Sequence, residues 1–247
     1  MKITAISDIH GYLPEIEETD LLIIAGDWSP LEIQQYKASM EQWIEKIMIP
    51  WFQSVKAKKI IFIAGNHDFI CLPEFWSYNI FEFEYDFKID FLKPLLRKNK
   101  LEDKVEYLCD ESTIYNDLKI FGCPHVTGLH GWAFSEAEVF DSYSKIKKCD
   151  ILVTHQPPKF NGLGESCVKK KTAQGVEKVV KMDFGSEELL RKLKTIKPSL
   201  LFCGHVHGGN HNESIITHSN NKTTKCYNVS LKDEDYNVHF KPLTIEL

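Results

Sequence analysis

Six short apolar runs punctuate the chain: Ile3–Ile6, Leu21–Ala25, Ile60–Ala64, Leu118–Phe121, Ile151–Val153 and Leu200–Cys203. Runs this brief, mostly apolar and rich in β-branched residues, are the mark of strands buried on both faces. Between them, Leu31–Ala57 and Ser186–Lys197 space Leu, Ile and Trp as amphipathic helices do, with Pro50 ending or kinking the first. Strands alternating with helices predict an α/β layered domain. Lys225–Ser230, Tyr236–Phe240 and Leu243–Leu247 read as closing strands, and Leu72–Lys100 fits either helix or irregular chain. Asn161–Gly185, with its glycines and the Lys169–Lys171 run, reads as a long surface loop of the kind that is often functional. No internal repeat and no linker-like change of composition divides the chain, so one domain over 1–247 is expected.

Composition narrows the function classes. A chain of 247 residues buries roughly 70% or more of its unfolded surface, so no disulfide staples are needed. The seven cysteines are odd in number, scattered and without a C-x-x-C pair, which argues against both a disulfide framework and a thiolate zinc site. They read as small buried hydrophobes, with Cys109 and Cys203 at strand ends. MKITAISDIH is too short an apolar stretch for a secretory leader, and no run of about 18 apolar residues exists. A reducing, cytoplasmic setting without membrane attachment is therefore expected. The formal charge of −5 gives no general pull toward nucleic acid. Of the 30 basic residues only Arg97 and Arg191 are arginine, so bidentate guanidinium clamps on phosphate are scarce. Any phosphate handled here has to be neutralised by something else, such as a metal.

Five of the apolar runs lead into polar clusters: Ser7-Asp8-Ile9-His10-Gly11, Gly26-Asp27-Trp28, Gly65-Asn66-His67-Asp68, Thr154-His155-Gln156 and Gly204-His205-Val206-His207-Gly208. Each stands at a strand's C-terminal end, where layered α/β sheets place their binding crevice. Any one of them is common by chance; five in order point to a shared centre. Asp, His and one Asn form a borderline donor set, suited to Mn, Fe, Co, Ni or Zn rather than to Ca or Mg. Seven donors, Asp8, His10, Asp27, Asn66, His155, His205 and His207, exceed what one tetrahedral ion needs. Asp27 could bridge two ions roughly 3.5–4 Å apart, the arrangement used to cleave phosphate esters.

Taken together, Asp8-x-His10, Gly26-Asp27, Gly65-Asn66-His67-Asp68, His155 and Gly204-His205-x-His207 resemble the signature of the calcineurin-like metallophosphoesterase superfamily, over nearly the whole chain. Leu118–Pro124, Trp132-Ala133-Phe134, Ile151–Pro158 and Tyr227-Asn228-x-Ser230 are similar to its small single-domain members of the class III phosphodiesterase type. The resemblance implies a four-layer αββα sandwich, two mixed β-sheets face to face with helices outside. It also implies that one ion is held by Asp8, His10, Asp27 and His207, and the other by Asp27, Asn66, His155 and His205. Two such ions would share a water whose pKa falls toward neutrality, giving a hydroxide that attacks phosphorus in line. His67 is then the candidate to protonate the leaving oxygen or to stabilise the transition state. Asp68 either orients the His67 region or caps a helix.

The expected activity is metal-dependent hydrolysis of a small phosphate ester, with a diester, such as a cyclic nucleotide, favoured over a monoester. A nuclease of the same fold is the rival enzyme, though it would need a basic and aromatic groove that this acidic chain lacks in its sequence. A non-catalytic scaffold is the rival of another class, and the complete donor set argues against it. Other residues carry both a functional and an ordinary reading. His125 and His130 either line the pocket or sit on the surface, His211 reaches the site's rim or stays clear of it, and Lys169, Lys170 and Lys171 form a lid or a solvated run. Trp28 and Phe69 stack on a base or pack in the core, the core being the commoner fate.

Overall fold

The structure, a computed structural model, describes residues 1–72, 92–135, 143–171, 177–219 and 221–247. Strands β1 (Lys2–Ile6), β2 (Thr19–Ala25), β3 (Ala57–Ile63), β4 (Val105–Tyr107) and β13 (Leu243–Glu246) form one sheet in the order β13-β1-β2-β3-β4. Strands β5 (Glu111–Tyr115), β6 (Leu118–Cys123), β7 (Ile151–Thr154), β10 (Leu200–Cys203), β11 (Ser214–Thr217) and β12 (Thr223–Asn228) form the other, in the order β11-β12-β10-β7-β6-β5. Both are mixed: the inner pairings are parallel, and β13, β5 and β11 add antiparallel edges. Helices α1 (Lys37–Trp43), α2 (Ile49–Ser54), α3 (Leu92–Lys98) and α4 (Glu187–Ile196) lie outside the sheets.

Side-chain alternation turns these elements into layers. Ile3, Ala5, Leu21, Ile23, Ile61 and Ile63 of the first sheet meet Ile120, Ile151, Val153, Leu200 and Phe202 of the second in one buried core. Their neighbours Leu22, Ile24, Ile60 and Phe62 point the other way, onto Met40, Ile44, Phe52 and Leu95 of the helices. Phe121, Leu152, Leu201 and Cys226 likewise meet Leu189 and Leu193 of α4. Because both faces of each sheet are covered, the central strands read as continuous apolar runs, and the expected four-layer order of helix, sheet, sheet, helix is the one found.

Several local expectations need correction. The helix expected over Leu31–Ala57 begins only at Lys37, and a π-helical turn at Ile44–Met48 separates α1 from α2. Pro50 has no N–H for the carbonyl four residues back and its ring crowds that carbonyl, so the widened turn before it lets the chain continue. Asn161–Gly185 is not a loop: β8 (Glu165–Lys171) and β9 (Glu177–Asp183) pair antiparallel from Glu165↔Asp183 to Lys171↔Glu177. The glycines misled because they sit mainly at the hairpin's base, and the Lys run because exposed strands tolerate charge. Cys123, Cys149, Cys203 and Cys226 are buried as expected, whereas Cys167 is exposed on β8. Tyr236–Phe240 is not a strand either; Asp233 accepts from the amides of Asp235 and Asn237 and folds the segment into a turn. Of Leu72–Lys100, residues 73–91 lie outside the described residues, and the remainder supplies α3.

The helix over Ser186–Lys197 is close to its expected bounds, and its ends explain why. Ser186 Oγ accepts from Leu189 N at 3.1 Å, Glu187 and Glu188 occupy the first turn, and Lys197 closes the helix at φ 52° before Pro198. Ser186→Ala should therefore lower unfolding free energy by about 1 kcal/mol, read as a shifted midpoint in urea at unchanged slope. An unchanged midpoint would show that the cap contributes nothing.

Candidate metal centre

The five polar clusters converge at the C-terminal ends of β1, β2, β3, β7 and β10, and hydrogen bonds zip their loops together. Asp8 N donates to Gly26 O at 3.0 Å, His10 N to Asp27 O at 3.0 Å, and Gly204 N to His155 O at 2.9 Å. Asp8, His10, Asp27 and His205 all have positive φ, between 41° and 68°. Left-handed backbone in residues with a Cβ costs on the order of 1–3 kcal/mol each and persists where the surroundings over-determine it. Gly65 and Gly204 allow the closest approach: a Cβ on Gly65 would lie 2.3 Å from Asp27 Oδ1 and 2.6 Å from His155 Nε2, and one on Gly204 would lie 2.2 Å from Asp8 Oδ2.

The donors fall into groups whose ligand atoms lie within 4.8 Å of one another: Asp8, His10 and His207; His10, Asp27 and His67; and Asp27, His155 and His205. His155 Nε2 stands 3.1 Å from Asp27 Oδ2 and 3.1 Å from Asn66 Oδ1, and His207 Nε2 stands 3.3 Å from Asp8 Oδ1. All seven sequence-predicted donors are thus gathered in one place. Other hydrogen bonds aim the imidazoles. His155 Nδ1 lies 2.8 Å from Ala25 O and His207 Nδ1 2.8 Å from Asp233 O, so each ring donates from Nδ1 and turns Nε2 inward. His10 is 8% exposed, and neither of its ring nitrogens has a hydrogen-bond partner. A buried imidazole without a partner is costly, and a cation beside Asp8 and Asp27 would resolve it. The residues present fit a metal centre on this ground.

Electrostatics point the same way. Burial pushes the imidazoles of His10 and His205 down, to about 4 and about 3, so both are neutral near pH 7 with lone pairs to give. Burial opposes the charged form of His155 too, yet the charge of Asp27 beside it raises it to about 9. His207 is also raised against its burial, by its hydrogen bond to Asp8.

Asp68 does not reach the crevice. Its Oδ2 accepts from Asp27 N at 2.8 Å and Gly65 N at 2.7 Å, and its Oδ1 from Trp28 N at 3.1 Å, Ser29 N at 2.9 Å and Ser29 Oγ at 2.7 Å. It is a positioning residue for the Asp27 turn rather than a cap or a partner of the His67 ring. Its burial, with the nearby charge of Asp27, pushes its carboxyl up to about 7. The His67 ring is held elsewhere, by Gln34 Oε1 at 2.7 Å from its Nδ1, while its Nε2 faces Asp27 Oδ2 at 3.9 Å.

A crevice of about 330 Å³ opens over the donors, lined by His67, Leu129, Trp132, Ser166, Phe184, Glu234 and Tyr236 as well as by Asp27, Asn66, His205 and His207. Apart from His67 and Trp132, the wall residues carry no signal in the sequence, since they come from unrelated segments, and Tyr236 falls in one that alternates like a strand. Trp28 and Phe69 are fully buried in the core, the commoner of their two fates. His125 is buried against Asp110 at 2.8 Å, His130 is exposed, and neither lines the crevice. His211 stacks on Phe240 and lies 2.9 Å from His207 O, beneath the rim. Lys169, Lys170 and Lys171 are exposed on β8.

Comparison with known proteins agrees with this geometry. A family model described as calcineurin-like phosphoesterase matches residues 1–209. Metallophosphoesterase domain-containing protein 1 of Homo sapiens is 27% identical over 256 residues, covering 100% of this chain and 71% of that protein. The Mus musculus protein of the same name matches equally, at 27% over 256 residues. Among solved structures, that of TT1561 from Thermus thermophilus superposes with a TM-score of 0.52 at 14% identity, covering 93% of this chain and 90% of that one, which is a likeness of fold.

Two outcomes test the centre. His155 and His207 are raised in the metal-free protein and must give up Nε2 protons to an incoming ion, so metal binding at pH 7 should release about one proton or more. The share of the release that comes from His155 should fade above pH 9, where that ring is already neutral; the buffer dependence of the calorimetric enthalpy measures it, and no release at pH 7 would contradict the arrangement. Asp68→Asn should place an amide against N–H donors, lower stability by about 2 kcal/mol and weaken metal binding on the order of 10- to 100-fold, as equilibrium dialysis would show.

Proposed function

Because the chain belongs to the calcineurin-like phosphoesterase family, we propose that it hydrolyses a small phosphodiester at a centre of two divalent transition-metal ions, drawn from Mn, Fe, Zn, Ni and Co. The observation that carries the reading is the convergence of carboxylates and imidazoles from five strand ends, with ligand atoms within 4.8 Å in each group. Asp8, His10 and His207 would hold one ion, Asn66, His155 and His205 the other, and Asp27, adjacent to both groups, would bridge them. When bound, such ions supply Lewis-acid charge for the phosphoryl oxygens and an activated water.

The chain's own residues do the rest. Asp68 fixes the turn that presents Asp27, and the Ala25 and Asp233 carbonyls hold the tautomers of His155 and His207. His67, with Nδ1 turned to Gln34, presents Nε2 to the crevice as a proton donor for the leaving oxygen. Burial lowers its pKa, and the negative charge of a bound phosphate would restore the proton at the moment of use. Among the described residues lining the crevice, none is lysine or arginine. That supports a singly charged diester over a dianionic monoester, and a small substrate over a nucleic-acid strand, which needs a basic groove. The scattered cysteines, none of them in a C-x-x-C pair, support a reducing, cytoplasmic setting; among the described residues no helix is long and apolar enough to cross a membrane.

The test is turnover of bis(4-nitrophenyl) phosphate against 4-nitrophenyl phosphate, abolished by a chelator and restored by Mn. Failure of every added metal to restore turnover would refute the reading. His67→Ala should keep its metal and lose on the order of 10²–10⁴ in rate on diesters with alkyl leaving groups, with far less loss on nitrophenyl esters, whose leaving group needs no proton. Equal losses on both would remove His67 from that role.

A further inference from the structure

The walls of the crevice differ in chemistry from its floor. Trp132 is 36% exposed and lies with its ring 4.5 Å from that of His67; Tyr236 is 40% exposed and lies 4.9 Å from His207 and 5.1 Å from His10. Phe184, 38% exposed, lines the same space. The core requires none of these three faces, and each leaves aromatic surface open to water directly above the donors.

Their placement is built into the fold. Ala133 N donates to Asn66 O at 3.1 Å, which ties the Trp132 loop to a donor residue. Gln156, next to His155, joins two walls: its Oε1 accepts from Thr127 N at 2.9 Å, and its Nε2 donates to Phe184 O at 2.9 Å. Tyr236 is held at φ 63° by the turn that Asp233 organises. Left-handed backbone at a tyrosine is a strained choice, and here it lays the ring against two donor histidines. Glu234, in the same turn, accepts from Ser166 Oγ at 2.5 Å and from Cys167 N at 3.0 Å, which brings its carboxylate to the mouth.

We propose that Trp132 and Tyr236, with Phe184, form a subsite for one ester arm of the substrate, and that Glu234 filters that arm by charge. The arm is a planar aromatic ring, neutral or positively charged, and carries no second anionic group. Offset or edge-on packing against two rings fits a flat arm better than an alkyl chain, and a carboxylate at the mouth with no lysine or arginine among the described wall residues repels a second anion. This rests on the phosphoesterase reading above and deepens it, by naming what besides the phosphate is recognised.

The experiment is calorimetric titration of the manganese-loaded full chain with methylphosphonate, phenylphosphonate and 4-carboxyphenylphosphonate, none of which carries an ester bond to cleave. Phenylphosphonate should bind on the order of tenfold more tightly than methylphosphonate, and 4-carboxyphenylphosphonate should lose that gain. Trp132→Leu and Tyr236→Asn, the latter chosen because Asn tolerates the left-handed backbone, should each shrink the phenyl-to-methyl ratio while manganese content stays constant. Glu234→Gln, which keeps the acceptor for Ser166 and Cys167, should restore tight binding of the carboxyphenyl compound. Equal affinity for methyl and phenyl, or a ratio unmoved in both ring variants, overturns the subsite alone. An unimproved carboxyphenyl affinity in Glu234→Gln overturns the charge filter. Binding of no phosphonate by a protein that holds manganese overturns the subsite, and turnover of bis(4-nitrophenyl) phosphate by the same preparation decides separately whether the phosphoesterase reading stands.

Discussion

Asp27 is the group around which the centre is arranged. Its carboxylate is fully buried, one oxygen accepting from His67 N at 2.8 Å and the other facing the Nε2 atoms of His155, His67 and His10 at 3.1, 3.9 and 4.0 Å. A buried carboxylate without compensation costs several kcal/mol. Burial works against its ionised form, and the surrounding imidazoles outweigh burial and hold its pKa well below the usual range. The second carboxylate, Asp8, is compensated separately, by His207 and by the amide of His205 at 2.9 and 3.0 Å. Two buried carboxylates are thereby kept at the floor of one crevice, which is useful when a cation is to be held and otherwise unfavourable.

Holding that arrangement is a task for the backbone as much as for side chains. Parallel strands end in register, so the loops after β1, β2 and β3 emerge side by side, as do those after β7 and β10. The two sheets are joined at this end through Ser7, whose N donates to Val229 O at 2.8 Å and whose carbonyl accepts from Leu231 N at 3.0 Å. Asp68 fastens the third loop to the second with four hydrogen bonds, from Asp27 N, Trp28 N, Ser29 N and Ser29 Oγ, and accepts a fifth from Gly65 N of its own loop. The left-handed conformations of Asp8, His10, Asp27 and His205 follow from this crowding, since each side chain has to turn back over its own strand end.

The six strands written as largely apolar runs were legible in the sequence because burial on both faces removes most of the polar residues that would obscure them. The donors were legible because each follows such a run directly. Strands β4, β5 and β11 were not: Glu111–Tyr115 and Ser214–Thr217 lie at sheet edges, where exposure mixes polar residues into the pattern. The β8–β9 hairpin was hidden for the same reason, being exposed along most of its length. Gln34, Glu234 and Tyr236 left no trace either, because their value comes from long-range contacts that no local pattern encodes. Asp68 stands between these cases, its place beside His67 being plain while its grip on the distant Asp27 turn is a tertiary fact.

The separation of floor and walls has a consequence for the order of events. Asp8 and Asp27 on the floor and Glu234 at the mouth are carboxylates, and among the described residues no lysine or arginine lines the crevice to offset them. The cationic groups it does hold are imidazoles: those of His155 and His207 are raised by Asp27 and Asp8 and are paired with them, and those of His10, His67 and His205 are depressed by burial. A phosphate group therefore meets little uncompensated positive charge until cations occupy the floor, and affinity for the anion has to be conferred largely by the same ions that would assist its cleavage. Binding and chemistry are then governed by one variable, the occupancy of the centre. The aromatic walls, indifferent to that occupancy, remain free to distinguish one ester from another.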